Sequence, residues 1–201
     1  MLWRGERPLI LASQSRSRGM LLGNAGLDFE AVPADIDERG IQAASKLDAP
    51  EKIAMLLARE KARAVAATHP GRVVLGADQT LALGAQLFDK PANREAAAAQ
   101  LRALSGKTHE LHAAFAVVMN DEVLTQQVSV ARMTMRMLDD AAIKNYLDLA
   151  GEGVTTSVGA YQLEGYGVHL FERIEGDHFT ILGLPLLPLF AFFRARGLIG
   201  L

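Results

Sequence analysis

The sequence predicts an α/β fold: a mixed, partly parallel twisted sheet flanked by helices, with a long antiparallel hairpin late in the chain. Three observations predict it. Two short apolar runs, Leu9-Ile10-Leu11-Ala12 and Val73-Val74-Leu75-Gly76-Ala77, have the continuity of strands buried on both faces, as in parallel sheets. Helical patterns fill the chain after each of them. Two long β-like runs, residues 109–119 and 123–138, are joined by Asn120-Asp121-Glu122. The second alternates, with Met133, Met135 and Met137 on one face and Arg132, Thr134 and Arg136 on the other, as a half-buried antiparallel strand does.

In chain order, residues 9–12 form a buried strand, and residues 15–24 a short helix closed near Gly26. Residues 29–32 are strand and run into the acidic turn Asp35-Ile36-Asp37-Glu38. Asp48-Ala49-Pro50-Glu51 has the cap residue, early proline and following acid of a helix start, and the helix runs to about Thr68. Residues 73–77 are a continuous strand closed by Asp78. Residues 81–88 read as a hairpin turning at Gly84. Asn93 caps an Ala-rich helix that ends at Gly106. After the long hairpin, Asp139 starts a helix ending near Gly151, residues 165–174 return as strand, and residues 185–196 close the chain as a helix stopped by Gly197. No repeat, linker or low-complexity segment interrupts this, so residues 1–201 are read as one domain with two lobes.

The composition bounds the partners. Of the 201 residues, 50% are hydrophobic and 22% charged, an ordinary globular balance with enough length for a substantial core. A formal net charge of −2 provides no global field for a nucleic-acid polymer. With no cysteine there is no disulfide, zinc–thiolate site or thiol nucleophile, which fits a reducing compartment. The opening residues 1–8 lack a secretory h-region. The uncharged stretch 178–193 is shorter than the roughly 20 residues that span a bilayer and carries Pro185 and Pro188. The expectation is a soluble cytoplasmic protein with no membrane partner. The Met-lined face of residues 123–138 is read either as core or as the interface of a homodimer.

Several side chains stand where phosphate chemistry needs them. Ligands of open α/β sheets bind beyond the carboxyl ends of the strands. There the sequence places Ser13-Gln14-Ser15-Arg16-Ser17-Arg18 after one strand and Asp78 after another. Serine hydroxyls, a helix N-terminus and a guanidinium suit phosphate oxygens, and a carboxylate can orient or deprotonate water. The plain alternative for Ser13 to Arg18 is a capped helix start with solvated arginines, since serine is a common N-cap. Lys61 lies four residues after Leu57 and four before Val65, on the inward stripe with Ile53 and Ala64. It is either a counter-charge aimed into a pocket or a snorkelling lysine. Lys90, before Pro91, is either a contact to a triphosphate tail or a turn lysine. Asp35, Asp37 and Glu38 are either oxygen ligands for a hard cation or a solvated turn.

Other chemistries are excluded by pattern. Leu101 stands where a Walker A loop ending at Gly106-Lys107-Thr108 needs glycine. His109 and His112 are three apart on a predicted strand and face opposite ways. There is no HExxH, GxSxG or GxGxxG, and Asp78-Gln79-Thr80 lacks the second Asp of a DxDxT phosphatase.

The same residues carry a family resemblance. Ser13-Gln-Ser15-Arg-Ser17-Arg18-Gly-Met-Leu21-Leu22 resembles the SxSxxRxxLL signature of the Maf family of nucleotide pyrophosphatases. Asp35-Ile36-Asp37-Glu38 resembles its DIDE turn, Ala58-Arg59-Glu60-Lys61-Ala62 its AxxKA helix, and Gly76-Ala77-Asp78-Gln79 its G-[AS]-D strand end. Lys90-Pro91, Leu104 to His109, Gly159-Ala160-Tyr161, Glu172 to Asp177 and Gly183-Leu184-Pro185-Leu186 follow in family order.

The resemblance implies two lobes around a central cleft and metal-dependent hydrolysis of a nucleoside triphosphate to the monophosphate and pyrophosphate. It implies Asp78 as proton acceptor, Ser13 and Arg18 on phosphate oxygens, and Lys61 and Lys90 on the triphosphate. Glu38, with Asp78, would anchor Mg²⁺ or Mn²⁺. Gln79 and Glu164 resemble the branch acting on 7-methyl-GTP, whereas Ser17 stands where that branch has Trp and the dTTP/UTP branch has Arg. The rival reading is a nucleotide-binding regulator of septum formation that needs no catalysis.

Overall fold

The protein's structure, a computed structural model, describes residues 2–201. The strands are β1 (Leu9–Ala12), β2 (Phe29–Ala31), β3 (Val73–Leu83), β4 (Gln86–Phe88), β5 (Thr108–Met119), β6 (Glu122–Met135) and β7 (Phe171–Glu175). The helices are α1 (Arg16–Asn24), α2 (Glu38–Ser45), α3 (Pro50–Thr68), α4 (Arg94–Leu104), α5 (Asp140–Ala150), α6 (His178–Ile181) and α7 (Leu186–Ala195). The strands pair in the order β2-β1-β3-β5-β6-β7, with β4 also on β3. β1 runs parallel to both β2 and β3, while β3–β4 and β6–β7 are antiparallel, so the sheet is mixed as predicted. The chain forms two compact units. One holds the residues up to Gln79, His112–Ser129 and Asp177–Leu201; the other holds Thr80–Leu111 and Val130–Gly176.

In the first unit the continuous apolar strands are covered on both faces. Ile10, Ala12 and Val74 pack with Ala62, Val65 and Ala66 of α3. Alternate residues Leu9, Leu11, Leu75 and Ala77 join Leu21 and Leu22 of α1 and Leu189 and Phe193 of α7 on the other side. Burying each large side chain of this kind contributes roughly 1.5–3 kcal/mol. Gly76 sets how close α3 comes: a Cβ there would lie 2.7 Å from Ala62 N and 2.9 Å from Ala62 Cβ, and nearer still to Ala58 O. The two ends of the described chain are tied together. Arg4 N donates to Leu198 O (2.8 Å) and Gly200 N to Leu2 O (3.1 Å), while Trp3 stacks edge-on against Phe193.

In the second unit α4 and α5 pack together, and Leu81 pairs with Phe88 across the turn at Gly84. His109 is fully buried beside Tyr161 and Phe171, with Nε2 2.6 Å from Tyr161 Oη. Met133 and Met135 are buried, so this stretch of the Met-lined face is core.

The structure corrects several boundaries. β3 continues to Leu83 rather than closing at Asp78. Asp48 is not the cap of α3; Ala49 is, with no side-chain bond, and Pro50 occupies the first turn. The acidic turn opens a helix, α2, which Asp37 caps by accepting from Gly40 N at 2.9 Å. The predicted strand at 165–174 begins only at Phe171, because Gly165 N and Gly167 N both turn back to Gln162 O and leave residues 166–170 as 3₁₀-helix. The late strand ends at Met135, after an irregularity at Thr134/Met135, and Met137 is 78% exposed. Among the described residues, no helix is long and apolar enough to cross a membrane. Met1, the first residue of the predicted non-signal leader, lies outside them.

Candidate functional site

Where β1 stops at Ala12, the backbone turns through Ser13 into α1. Ser15 caps that helix, its Oγ accepting from Arg18 N at 3.4 Å. Ser13 Oγ accepts from Ser15 N (3.1 Å) and from Arg18 Nη1 (3.3 Å), which leaves its O–H hydrogen for an outside acceptor. Ser15 is thus the cap of α1, while Ser13 stands before the helix and caps nothing. Ser17 lies half-buried in the first turn of α1.

Arg18 is the clasp of the site. Its Nη1 also donates to Ala77 O (2.9 Å) and its Nε to Gly183 O (2.9 Å). β1 pairs with β3 only as far as Ala12 opposite Gly76, and beyond that register the guanidinium satisfies the β3 carbonyl. Gly183 has φ +89, a left-handed conformation that only glycine adopts without strain, and this turn presents its carbonyl to Arg18. Burial pulls the guanidinium pKa down, opposed by the charges of Asp78 and Glu38.

Lys61 and Asp78 meet across the α3–β3 contact. Val74, Gly76 and Asp78 point to the α3 face of the strand. The buried face of α3 is Ile53, Ala54, Leu57, Ala58, Lys61, Ala62, Val65 and Ala66; Ala64, expected in that stripe, is only part-buried. Lys61 Nζ donates to Asp78 Oδ1 at 2.6 Å, and both side chains are 11% exposed. Lys61 therefore does not snorkel to solvent; its ammonium stays buried on Asp78. Glu38, the first residue of α2, reaches the same ammonium with Oε1 at 3.0 Å. Burial pushes the Asp78 carboxyl up from its ordinary range, against the opposing pull of Lys61 and Arg18.

Of the expected cation cluster, only Glu38 is directed at this centre. Asp37 is spent on the α2 cap, Asp35 is exposed, and no group of three or more acids and histidines gathers among the described residues. Glu38 and Asp78 nevertheless bring two carboxylate oxygens to a single cation, here Lys61 Nζ. Mg²⁺ is commonly held by one or two carboxylates plus phosphate oxygens and water, so the donor set fits it.

Gln79, next along β3, points to the opposite face, and its Nε2 donates to Thr180 O (3.0 Å) and Ile181 O (3.1 Å). Lys90 and Glu164 belong to the second unit. Lys90 is exposed after β4, and Glu164 is exposed in the segment after Tyr161, where its charge helps burial hold the Tyr146 phenol up at about 12. The carbonyls of Ala77, Thr180, Ile181 and Gly183 were not legible as site groups, because backbone acceptors carry no residue signature. The run Gly183-Leu184-Pro185-Leu186 was the available signal for one of them.

The unit is thus an α/β fold with a Ser/Arg-clasped turn beyond a parallel strand, set beside a buried acid–lysine pair. A model of the Maf-like proteins matches residues 8–196, and the chain belongs to that family. It is 67% identical to the nucleoside triphosphate pyrophosphatase of Bradyrhizobium diazoefficiens, over 99% of this chain and 98% of that one. It is 65% identical to the nucleoside triphosphate pyrophosphatase of Rhodopseudomonas palustris (strain HaA2), with the same coverage. A 7-methyl-GTP pyrophosphatase of Mesorhizobium japonicum is 53% identical over 95% of this chain and 97% of that one.

Proposed function

We propose that this protein hydrolyses a nucleoside triphosphate to the monophosphate and pyrophosphate, with Asp78 as the base. The observation that carries this is the buried contact of Asp78 with Lys61, 2.6 Å, beside the Arg18–Ser13 clasp. Relatives named for this activity, at 67% and 65% identity, support it.

The residues divide the work by their chemistry. Asp78 orients a water on the α-phosphorus and takes its proton as the new P–O bond forms. The bond between the α-phosphorus and its bridging oxygen breaks, and that oxygen leaves on pyrophosphate. Burial raises the basicity of Asp78, which favours this transfer. Ser13 donates its free O–H to a phosphate oxygen, and Arg18 offers Nη2, since Nε and Nη1 are committed within the protein. Lys61 stabilises the charge of the leaving group, and for Lys90 the same role rests on the family resemblance alone. Mg²⁺ or Mn²⁺ held by Glu38 and Asp78 supplies charge neutralisation on the phosphates. Glu164 favours a guanine-type base, 7-methyl-GTP among the candidates, because a carboxylate accepts from a guanine N–H edge; Gln79 carries the same branch resemblance. The relative at 53% identity that is named for that nucleotide supports this choice. Ser17, too small to stack on a base, leaves the ring otherwise unclamped.

The test is a nucleotide panel with Mg²⁺ or Mn²⁺, assayed for pyrophosphate. Asp78→Asn is expected to lose about 10²–10⁴-fold in kcat, the usual weight of a general base, while still binding nucleotide. Wild-type turnover in that variant, or release of orthophosphate in place of pyrophosphate, overturns the reading.

A further inference from the structure

Two carboxylates from different elements, Glu38 on α2 and Asp78 on β3, converge on one ammonium at 3.0 Å and 2.6 Å. The two like charges repel, and the Lys61 ammonium between them offsets that repulsion. The backbone of α3 lies close against Gly76, where not even a methyl group fits between helix and strand. The head of Lys61 is not fixed, because it rides on a flexible four-carbon stem. A hard dication holding the same two acids takes their oxygens at about 2.0–2.1 Å, inside the shell Lys61 Nζ now fills. Ammonium and dication cannot both occupy it, since the two would overlap in space and their positive charges repel, on the Asp78 side with little screening because that carboxylate is buried.

We propose that the Lys61 ammonium and the divalent cation are alternative occupants of one gap between Glu38 and Asp78, so that the cation enters by displacing Lys61 toward the phosphates. The inference rests on the cation reading above and deepens it. Lys61 then has two posts. Between the acids it keeps Glu38 and Asp78 paired; once displaced, it carries its charge to the triphosphate. The lysine also sets the affinity of the nucleotide-free protein for metal, because every ion bound must pay for its displacement.

The experiment measures Mn²⁺ binding to nucleotide-free protein by titration calorimetry. Lys61→Met keeps the apolar stem and removes the competitor, so it is expected to bind Mn²⁺ at least tenfold more tightly than wild type. Adding Glu38→Gln is expected to abolish that gain. Equal or weaker binding by Lys61→Met overturns the proposal, as does a gain that survives Glu38→Gln. Should Lys61→Met fail to fold, wild-type protein answers the question through reductive methylation of Lys61, followed by mass spectrometry. Mg²⁺ is expected to speed that labelling several-fold, and an unchanged or slower rate overturns the proposal. Wild-type pyrophosphate release is assayed alongside. An active enzyme that fails the metal-binding test sinks this inference alone, whereas a protein that releases no pyrophosphate sinks the functional reading.

Discussion

Ile53, Leu57, Lys61 and Val65 stand four apart along α3, so the lysine shares the surroundings of three apolar side chains. That much was legible from spacing. Its partner was not, because Asp78 is 17 residues further on and their meeting depends on which face of β3 turns to α3. Arg18 was singled out in the sequence for phosphate oxygens, but its part as a clasp for two carbonyls was not legible, because tertiary structure alone fixes it. His109 shows what one buried side chain does to stability. Its Nδ1 has no hydrogen-bond partner among the described residues, and burial pushes the imidazole down from 6.5 to about 4. Between those values the unfolded chain takes up a proton that the folded chain refuses. Stability contributed at this position is therefore complete above pH 6.5 and falls as pH drops toward 4, by about 3 kcal/mol in all. His109→Gln, which can still bond to Tyr161, is expected to lose less stability than wild type across that window in urea titrations. Identical slopes would show that the histidine is not the titrating group.

At the level of elements, local chemistry was readable where one residue decides the outcome. Ser15 and Asn93 cap α1 and α4, and Gly84 turns the β3–β4 hairpin. Reading failed where tertiary context decides. α2 has 8 residues and no fully buried side chain, so its apolar signal is too weak to separate from a turn. The break assigned at Asp78-Gln79-Thr80 was a stretch of continuous strand carrying polar groups inward, the kind of local rule-breaking that functional sites produce. The α3–β3 contact is the element-scale feature most open to test. Gly76→Ala forces a methyl group against Ala58 O and Ala62, and is expected to cost about 1–3 kcal/mol in denaturant titrations. Because Lys61 travels with α3, the variant should also lose activity at temperatures where it remains folded. Full activity together with full stability would mean that the helix can retreat without consequence.

For the whole molecule, the mixed α/β class was legible from two continuous apolar runs and one alternating strand. Two lobes were expected, but their boundaries were not legible, since each unit is assembled from separated stretches of chain, with passages at Gln79/Thr80, Leu111/His112, Ser129/Val130 and Gly176/Asp177. No single cut of the chain yields either unit entire. The hydrogen bonds joining Arg4 to Leu198 and Gly200 to Leu2 nevertheless give the chain a useful freedom. Leu2–Arg4 and Leu198–Gly200 lie side by side, so a linker of a few glycines between these segments should close residues 2–200 into a ring. Reopening that ring at the exposed Gly84 turn gives a circular permutant in which every buried contact keeps its partners. Such a permutant is expected to melt cooperatively and to release pyrophosphate as the parent does. The order in which the ribosome makes these segments would then be incidental to the fold.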